Sequence, residues 1–336
     1  MKKRELWLDY IRAIACFMVA FIHFVESMEQ SGIIDFGGFY QWMERTMYYI
    51  PVPIFFFCSG YLYQMGKPVD SMQAYWKSIK SKLINLGIPY LFFVLLTIGM
   101  KYILGSSVNT PVDKSLWEYL LVSPPGQMWY LLVLIMCFLL IPTMNERNSQ
   151  AILFISAVLK MVALTGIEAR FPIVEMKFMD YGIWFVLGML VSYKGWKPDN
   201  KWFLVGMCWF PVMVLVMLTD KAELLLQSVI SLFGILLLAG VCVKCKRECR
   251  VLDLLSKYML QIYLLHTMCA ACVRIVLLKL SITSGVVHCV LGLLSSFAGP
   301  VIIAIILEKS VVGNVIFFPT KTWKQLREGK RIEKDV

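Results

Sequence analysis

The chain has 336 residues, 59% hydrophobic and 16% charged, with a mean hydropathy of +0.70. A soluble domain is about 45–50% apolar and about 25% charged, so this composition excludes an ordinary soluble enzyme, a disordered or collagen-like chain and a disulfide scaffold. The net charge of +11 would suggest nucleic acid in a soluble protein, but here the cations sort by position along an apolar chain, and no nucleic-acid partner is expected.

Apolar stretches at 9–26, 46–63, 83–104, 128–144, 151–166, 181–193, 202–219, 224–243, 258–280 and 284–307 read as helices. They predict an all-α integral membrane protein with about ten transmembrane helices. With the N-terminus cytoplasmic, the inward segments carry 23 of the 33 Lys and Arg and the outward ones seven. That bias favours an even number of spans with both termini cytoplasmic. Lys2, Lys3 and Arg4 before an apolar run imitate a signal peptide. Arg12 and His23 interrupt that run and no small-x-small cleavage site follows, so it reads as a retained first helix. Residues 1–310 read as one membrane-embedded domain and 311–336 as a basic cytoplasmic tail.

The ten cysteines lie mostly in apolar spans, as Cys16, Cys58, Cys137 and Cys208 do, and read as small buried hydrophobes. Cys242, Cys245 and Cys249 have metal-ligand spacing but no nearby histidine as a fourth ligand, and the three histidines have no zinc-site spacing. No metal and no bound cofactor are expected.

An ionisable side chain inside a span costs about 2.5–3.5 kcal/mol on insertion scales, which makes each one a functional suspect. Arg12 and His23 stand eleven residues apart. At about 100° and about 1.5 Å per residue they share a helix face, His23 about 16 Å further along. A fixed cation near the cytoplasm and an imidazole toward the far side suit a long anionic donor reaching a base. The plainer readings are a snorkelling Arg12 paired with Asp9 and a packed, hydrogen-bonded His23. Glu26, one turn beyond, either orients His23 as a third catalytic member or marks the membrane boundary. The second span carries Pro51, Pro53, Ser59 and Gly60, which suit either a cavity-lining break or close helix packing. Lys80 and Lys82 lie in a basic stretch running into the third span, as phosphate contacts or as positive-inside anchors.

Leu8-Asp9-Tyr10-Ile11-Arg12 with His23, then Phe55-Phe56-Phe57-Cys58-Ser59-Gly60-Tyr61, resembles the acyltransferase-3 family of integral-membrane acyltransferases. Gln127-Met128-Trp129-Tyr130-Leu131 and Ile262-Tyr263-Leu264-Leu265-His266 resemble its later motifs, so the likeness runs from residue 8 to about 305. The resemblance implies a ten-helix domain that moves an acyl group, usually acetyl from cytoplasmic acetyl-CoA or another acyl-CoA as co-substrate, to a hydroxyl of an extracytoplasmic carbohydrate or glycolipid. It implies His23 as base with Arg12 helping to hold the donor, and the spacing of Glu26 from His23 offers Glu26 as a third catalytic member. Arg12, Lys80, Lys82, Tyr263 and His266 would hold the donor, and Ser59, Gly60, Tyr61 and Trp129 would shape the substrate pocket.

The sequence departs from the family pattern at Lys82 and Asn85, where Arg-x-x-Arg is usual, and at Pro53 and Gln127. It resembles the compact branch without an extracellular esterase-like domain. The competing function is a polysaccharide or small-solute exporter with Arg12, Lys160, Arg274 and His266 lining a path; a membrane sensor or partner domain is a third. Tyr40, Gln41 and Trp42 suit sugar stacking or an interfacial aromatic belt. A multi-pass protein of a bacterial plasma membrane, monomer or homodimer, fits these features best.

Overall fold

The computed structural model describes residues 5–66, 71–105, 112–166, 170–219, 224–245 and 249–328. The described residues contain helices and no strand. They are α1 (Leu6–Gln30), α2 (Gly38–Arg45), α3 (Pro51–Gln64), α4 (Met72–Leu104), α5 (Leu116–Leu121), α6 (Trp129–Leu140), α7 (Ser149–Leu164) and α8 (Ile173–Tyr193). There follow α9 (Asn200–Gly206), α10 (Trp209–Thr219), α11 (Leu224–Lys244), α12 (Arg250–Lys257), α13 (Met259–Lys279), α14 (Gly285–Leu307), α15 (Val311–Phe317) and α16 (Pro319–Arg327).

Every apolar stretch of the sequence is largely helical, although 141–144 lie beyond the end of α6, and the protein is an all-α membrane protein. Six described helical segments are long and apolar enough to cross a bilayer: Leu6–Gln30, Tyr75–Leu104, Asn200–Leu218, Leu225–Lys244, Met259–Lys279 and Gly285–Leu307. Others are shorter, α3 with 14 residues, α6 with 12 and α7 with 16. Large apolar side chains stay exposed in rows at helical spacing. Phe154, Val158 and Met161 form one on α7, Val214 and Leu218 one on α10, and Val286, Val290 and Leu294 one on α14. Such stripes are disfavoured against water and suit lipid.

Several boundaries differ from the sequence reading. The stretch 46–63 begins with a 3-10 turn, Met47–Tyr49, because Pro51 occupies the first turn of α3, where its missing N–H does no harm. The basic residues 72–82 continue α4 outward as helix, so Lys80 and Lys82 sit on a 33-residue rod. α8 starts at Ile173, eight residues before its apolar run, with Glu175 in its first turn where the helix dipole favours a carboxylate. The stretch 202–219 is two helices, α9 and α10. α9 starts where the Asp199 side chain accepts from the N–H groups of Lys201 and Trp202.

The chain divides into two compact units, one of Met1–Lys67, Thr143–Glu168 and Met179–Met259, the other of Pro68–Pro142, Ala169–Phe178 and Leu260–Val336. In the first, α1 is buried over most of its circumference, against α3, α11 and α12. Its apolar positions fill the interior, while Asp9, Arg12, His23 and Glu26 stay partly exposed. α3 meets α8 backbone to backbone: a Cβ at Gly60 would lie 1.9 Å from the Phe185 carbonyl oxygen, and one at Gly188 would lie 1.9 Å from the Phe57 carbonyl oxygen. α9 seats on α11 in the same way through Gly206 and Gly240.

In the second unit, Tyr90, Phe93, Met128, Leu131, Leu264 and Phe317 form a core drawn from α4, α6, α13 and α15. Residues 311–327, which the sequence places in a tail, fold as α15 and α16 and pack on α4. The Asn85 side-chain oxygen accepts from both the N–H and the hydroxyl of Thr320, at 3.2 and 2.7 Å. Asn85 thus caps the first turn of α16 from a neighbouring helix.

Candidate active site

Arg12, His23 and Glu26 all stand on α1, in the first unit. Their orientation is set within that helix. The Arg12 Nη2 donates to Asp9 Oδ1 at 2.9 Å, one turn back. The pair is partly exposed, with side-chain exposures of 22% and 18%. Among the described residues the buried Arg12 Nε has no hydrogen-bond partner, so one donor of the anchored guanidinium is unsatisfied.

Three turns on, His23 Nδ1 lies 3.1 Å from Glu26 Oε2. A carboxylate can only accept, so this contact sets the tautomer with Nδ1–H donating and the basic lone pair on Nε2. Gln30 Nε2 donates to the other Glu26 oxygen at 3.2 Å. The series His23, Glu26, Gln30 steps along one helix face at i, i+3 and i+7. Gln30 went unnoticed in the sequence, although its i+4 spacing from Glu26 was there to be read. With side-chain exposures of 25% and 32%, His23 and Glu26 are accessible to a small reactant.

α2 and the Met47–Tyr49 turn pack against the C-terminal end of α1. There the Tyr40 hydroxyl is pushed up from its ordinary pKa by partial burial and by the carboxylates of Glu44, Glu26 and Glu29. Tyr40 therefore stays protonated and able to donate. Phe39 and Trp42 pack at 5.8 Å with their rings tilted by 32°, and Phe39 and Tyr48 are exposed.

Ser59, Gly60 and Tyr61 also belong to the first unit. Tyr61 is buried and meets Trp7 of α1 edge to face at 5.3 Å. Gly60 faces the α8 backbone, so its lack of a side chain is needed for packing. Lys160, a carrier-path candidate from the sequence, forms an ion pair with Asp180 between α7 and α8.

The other candidates lie in the second unit. Gln127 Nε2 donates to the Tyr263 carbonyl and the Thr267 hydroxyl, both at 3.2 Å, while the Tyr263 hydroxyl donates to the Gln127 carbonyl. This reciprocal knot, with Tyr130 edge-on to the Tyr263 ring, ties the start of α6 to α13. Lys177 Nζ stands 5.2 Å from the Trp129 ring centroid, at cation–π distance. His266 is buried, its Nδ1 2.8 Å from the Ile262 carbonyl of its own helix. Lys82 donates to the Ser78 hydroxyl at 2.7 Å and lies 5.0 Å from the Phe138 ring, whereas Lys80 is exposed. Among the described residues no group of His, Cys, Asp or Glu could hold a metal ion.

The chain is a membrane protein of apolar helices, one of which, α1, carries His23 against Glu26 and Arg12 against Asp9 three turns apart. The acyltransferase-3 model, described as an acyltransferase domain, matches residues 5–305, and the chain belongs to that family. No curated protein matches it, and no solved structure does.

Proposed function

We propose that this membrane acyltransferase is an O-acyltransferase that takes an acyl group, in the simplest case acetyl, from cytoplasmic acyl-CoA. The acceptor is a hydroxyl of an extracytoplasmic carbohydrate or glycolipid. The observation that carries the reading is the His23–Glu26 contact on the same helix as the Asp9-anchored Arg12. On this reading ten spans place both termini in the cytoplasm of a bacterial cell, and the basic segments set that orientation.

In the reaction His23 Nε2 removes the acceptor hydroxyl proton as the oxygen attacks the thioester carbonyl carbon. The carbon–sulfur bond breaks, and the thiolate takes the proton back from the imidazolium. Glu26 stabilises that imidazolium, and Arg12 binds an oxygen of the donor. Positioned acid–base catalysis of this kind contributes about 10²–10⁴-fold. Tyr40, Phe39 and Trp42 offer the donor hydroxyl and apolar faces that a sugar ring uses. The exporter reading loses one of its path cations, because Lys160 is paired with Asp180.

The test is transfer of radiolabelled acetyl from acetyl-CoA to cell-envelope glycans, in membranes holding wild type or His23→Ala at matched expression. Label with wild type and none with the variant is the expected result. No label with either, together with a donor-independent solute flux in both, refutes acyl transfer in favour of export.

A further inference from the structure

The first unit contains a cavity of about 270 Å³ that the transfer chemistry does not use. Trp184 and Val191 of α8, Trp196 of the following loop, Trp202 of α9, Leu236 of α11 and Phe57 of α3 line it. Every lining side chain is aromatic or branched aliphatic, so the cavity is poorly suited to water and well suited to hydrocarbon. Its lining is graded. Trp184 is buried at 5% exposure, whereas Trp196 stands 53% exposed beside the loop 194–201.

That loop and the first turn of α9 are net basic, with three lysines against one aspartate. Lys194, Lys197 and Lys201 are exposed within eight residues, each one or two positions from a cavity tryptophan. Lys197 is answered by Glu5 at 3.1 Å. The one acidic group of the loop, Asp199, accepts from the N–H groups of Lys201 and Trp202 as the cap of α9. Lys194 and Lys201 have no carboxylate partner among the described residues. An apolar slot with an exposed indole at its mouth and two exposed lysines within one or two residues of its tryptophans, Lys194 lying 5.7 Å from the Tyr193 ring, matches one amphipathic ligand: an acyl chain carrying a negatively charged head.

We propose that this cavity is a binding site for an anionic glycerophospholipid, with one acyl chain among Trp184, Val191 and Leu236 and the phosphate against Lys194 and Lys201. The site is independent of the acyl-transfer reading. On the topology given above the loop faces the cytoplasm, the leaflet side on which anionic lipid meets basic segments. Each lysine near such a headgroup is worth about fivefold in affinity, so the pair gives about a 25-fold preference over a zwitterionic lipid.

The test uses the purified full chain and phospholipids brominated at mid-chain, which quench indole fluorescence on contact. The difference between wild type and Trp184→Phe isolates the deepest indole. Brominated phosphatidylglycerol should quench Trp184 saturably at low mole fraction, with brominated phosphatidylcholine needing about 25-fold more. The double variant Lys194→Gln/Lys201→Gln should bring the two lipids together, and Val191→Phe, which fills the cavity, should remove the saturable component. Quenching that rises linearly with mole fraction and equally for both lipids would mean ordinary annular lipid and would overturn the proposal. Absence of Trp184 quenching by either lipid would overturn it too.

Discussion

A single methyl group added at Gly188 tests how α3 and α8 are held. Its Cβ would lie 1.9 Å from the Phe57 carbonyl oxygen, and a Cβ at Gly60 would meet the Phe185 carbonyl oxygen at the same distance. The closest tolerated carbon–oxygen contacts are about 3.3 Å, so the helices must part by about 1.4 Å. The obstacle is backbone in both cases, and no change of rotamer relieves it. Overpacking costs about 1–3 kcal/mol, and a rigid obstacle puts this pair at or above the top of that range. Alanine returns about 1 kcal/mol in helix propensity, which leaves a net loss of about 2 kcal/mol for Gly188→Ala and for Gly60→Ala alike. The two losses should not add. Once one Cβ has separated the helices the second enters space already opened, so the double variant should lose about 2–3 kcal/mol rather than about 4. Reversible unfolding in mixed micelles with rising sodium dodecyl sulfate measures all three. Single losses under about 0.5 kcal/mol, or additivity within about 0.5 kcal/mol, would refute the backbone contact. Gly60→Ala that abolishes transfer at unchanged stability would assign Gly60 to the pocket instead.

Glu26→Gln keeps an acceptor for His23 but removes the charge that stabilises the imidazolium; kcat should fall by about 10-fold to 100-fold with little change in the donor KM, and an unchanged kcat in steady-state assays would remove Glu26 from the mechanism. Lys160→Met leaves Asp180 as a partly buried carboxylate without its ammonium and should destabilise by about 2 kcal/mol, discounted for the exposure of the pair; Lys160→Met/Asp180→Leu should recover most of that loss in the same unfolding assay. In the loop before α5, the hydrogen bond from the Tyr119 hydroxyl holds the Asp113 carboxyl below its ordinary pKa of 3.8. A depressed folded-state pKa gives stabilisation that is complete above 3.8 and lost as pH falls below it through the folded value, so the Asp113 amide, which donates to the Tyr119 hydroxyl oxygen, should lose protection relative to its intrinsic exchange rate below that point. Tyr119→Phe should show fast exchange there at every pH.

The helical class and the position of each apolar stretch were legible because about twenty apolar residues in a row have few other solutions. What escaped were the helices without such runs. α2, α12 and α16 are short and amphipathic, and their stability comes from packing on α1 or α4 rather than from their own pattern. The Arg12–Asp9 and His23–Glu26 contacts could be read because i,i+3 spacing is a local property. The Gln127–Tyr263 knot joins residues 136 positions apart, and the Asn85 cap of α16 joins residues 235 apart. Nothing local marks such pairs. Gly60 could be seen as special but not assigned, since a close crossing and a cavity wall both ask for a residue without a side chain.

The arginine, its aspartate, the histidine, its glutamate and the glutamine behind it are all mounted on α1. Their mutual distances are therefore fixed by the rise of a hydrogen-bonded helix and do not depend on how neighbouring helices move. On the proposed mechanism this helix works as a ruler, with cation and base at two marks about 16 Å apart. A donor is then measured by whether its anchored portion and its reactive carbonyl span those marks. Inserting one residue between positions 12 and 23 would turn the two groups about 100° apart and spoil the measurement without touching either side chain.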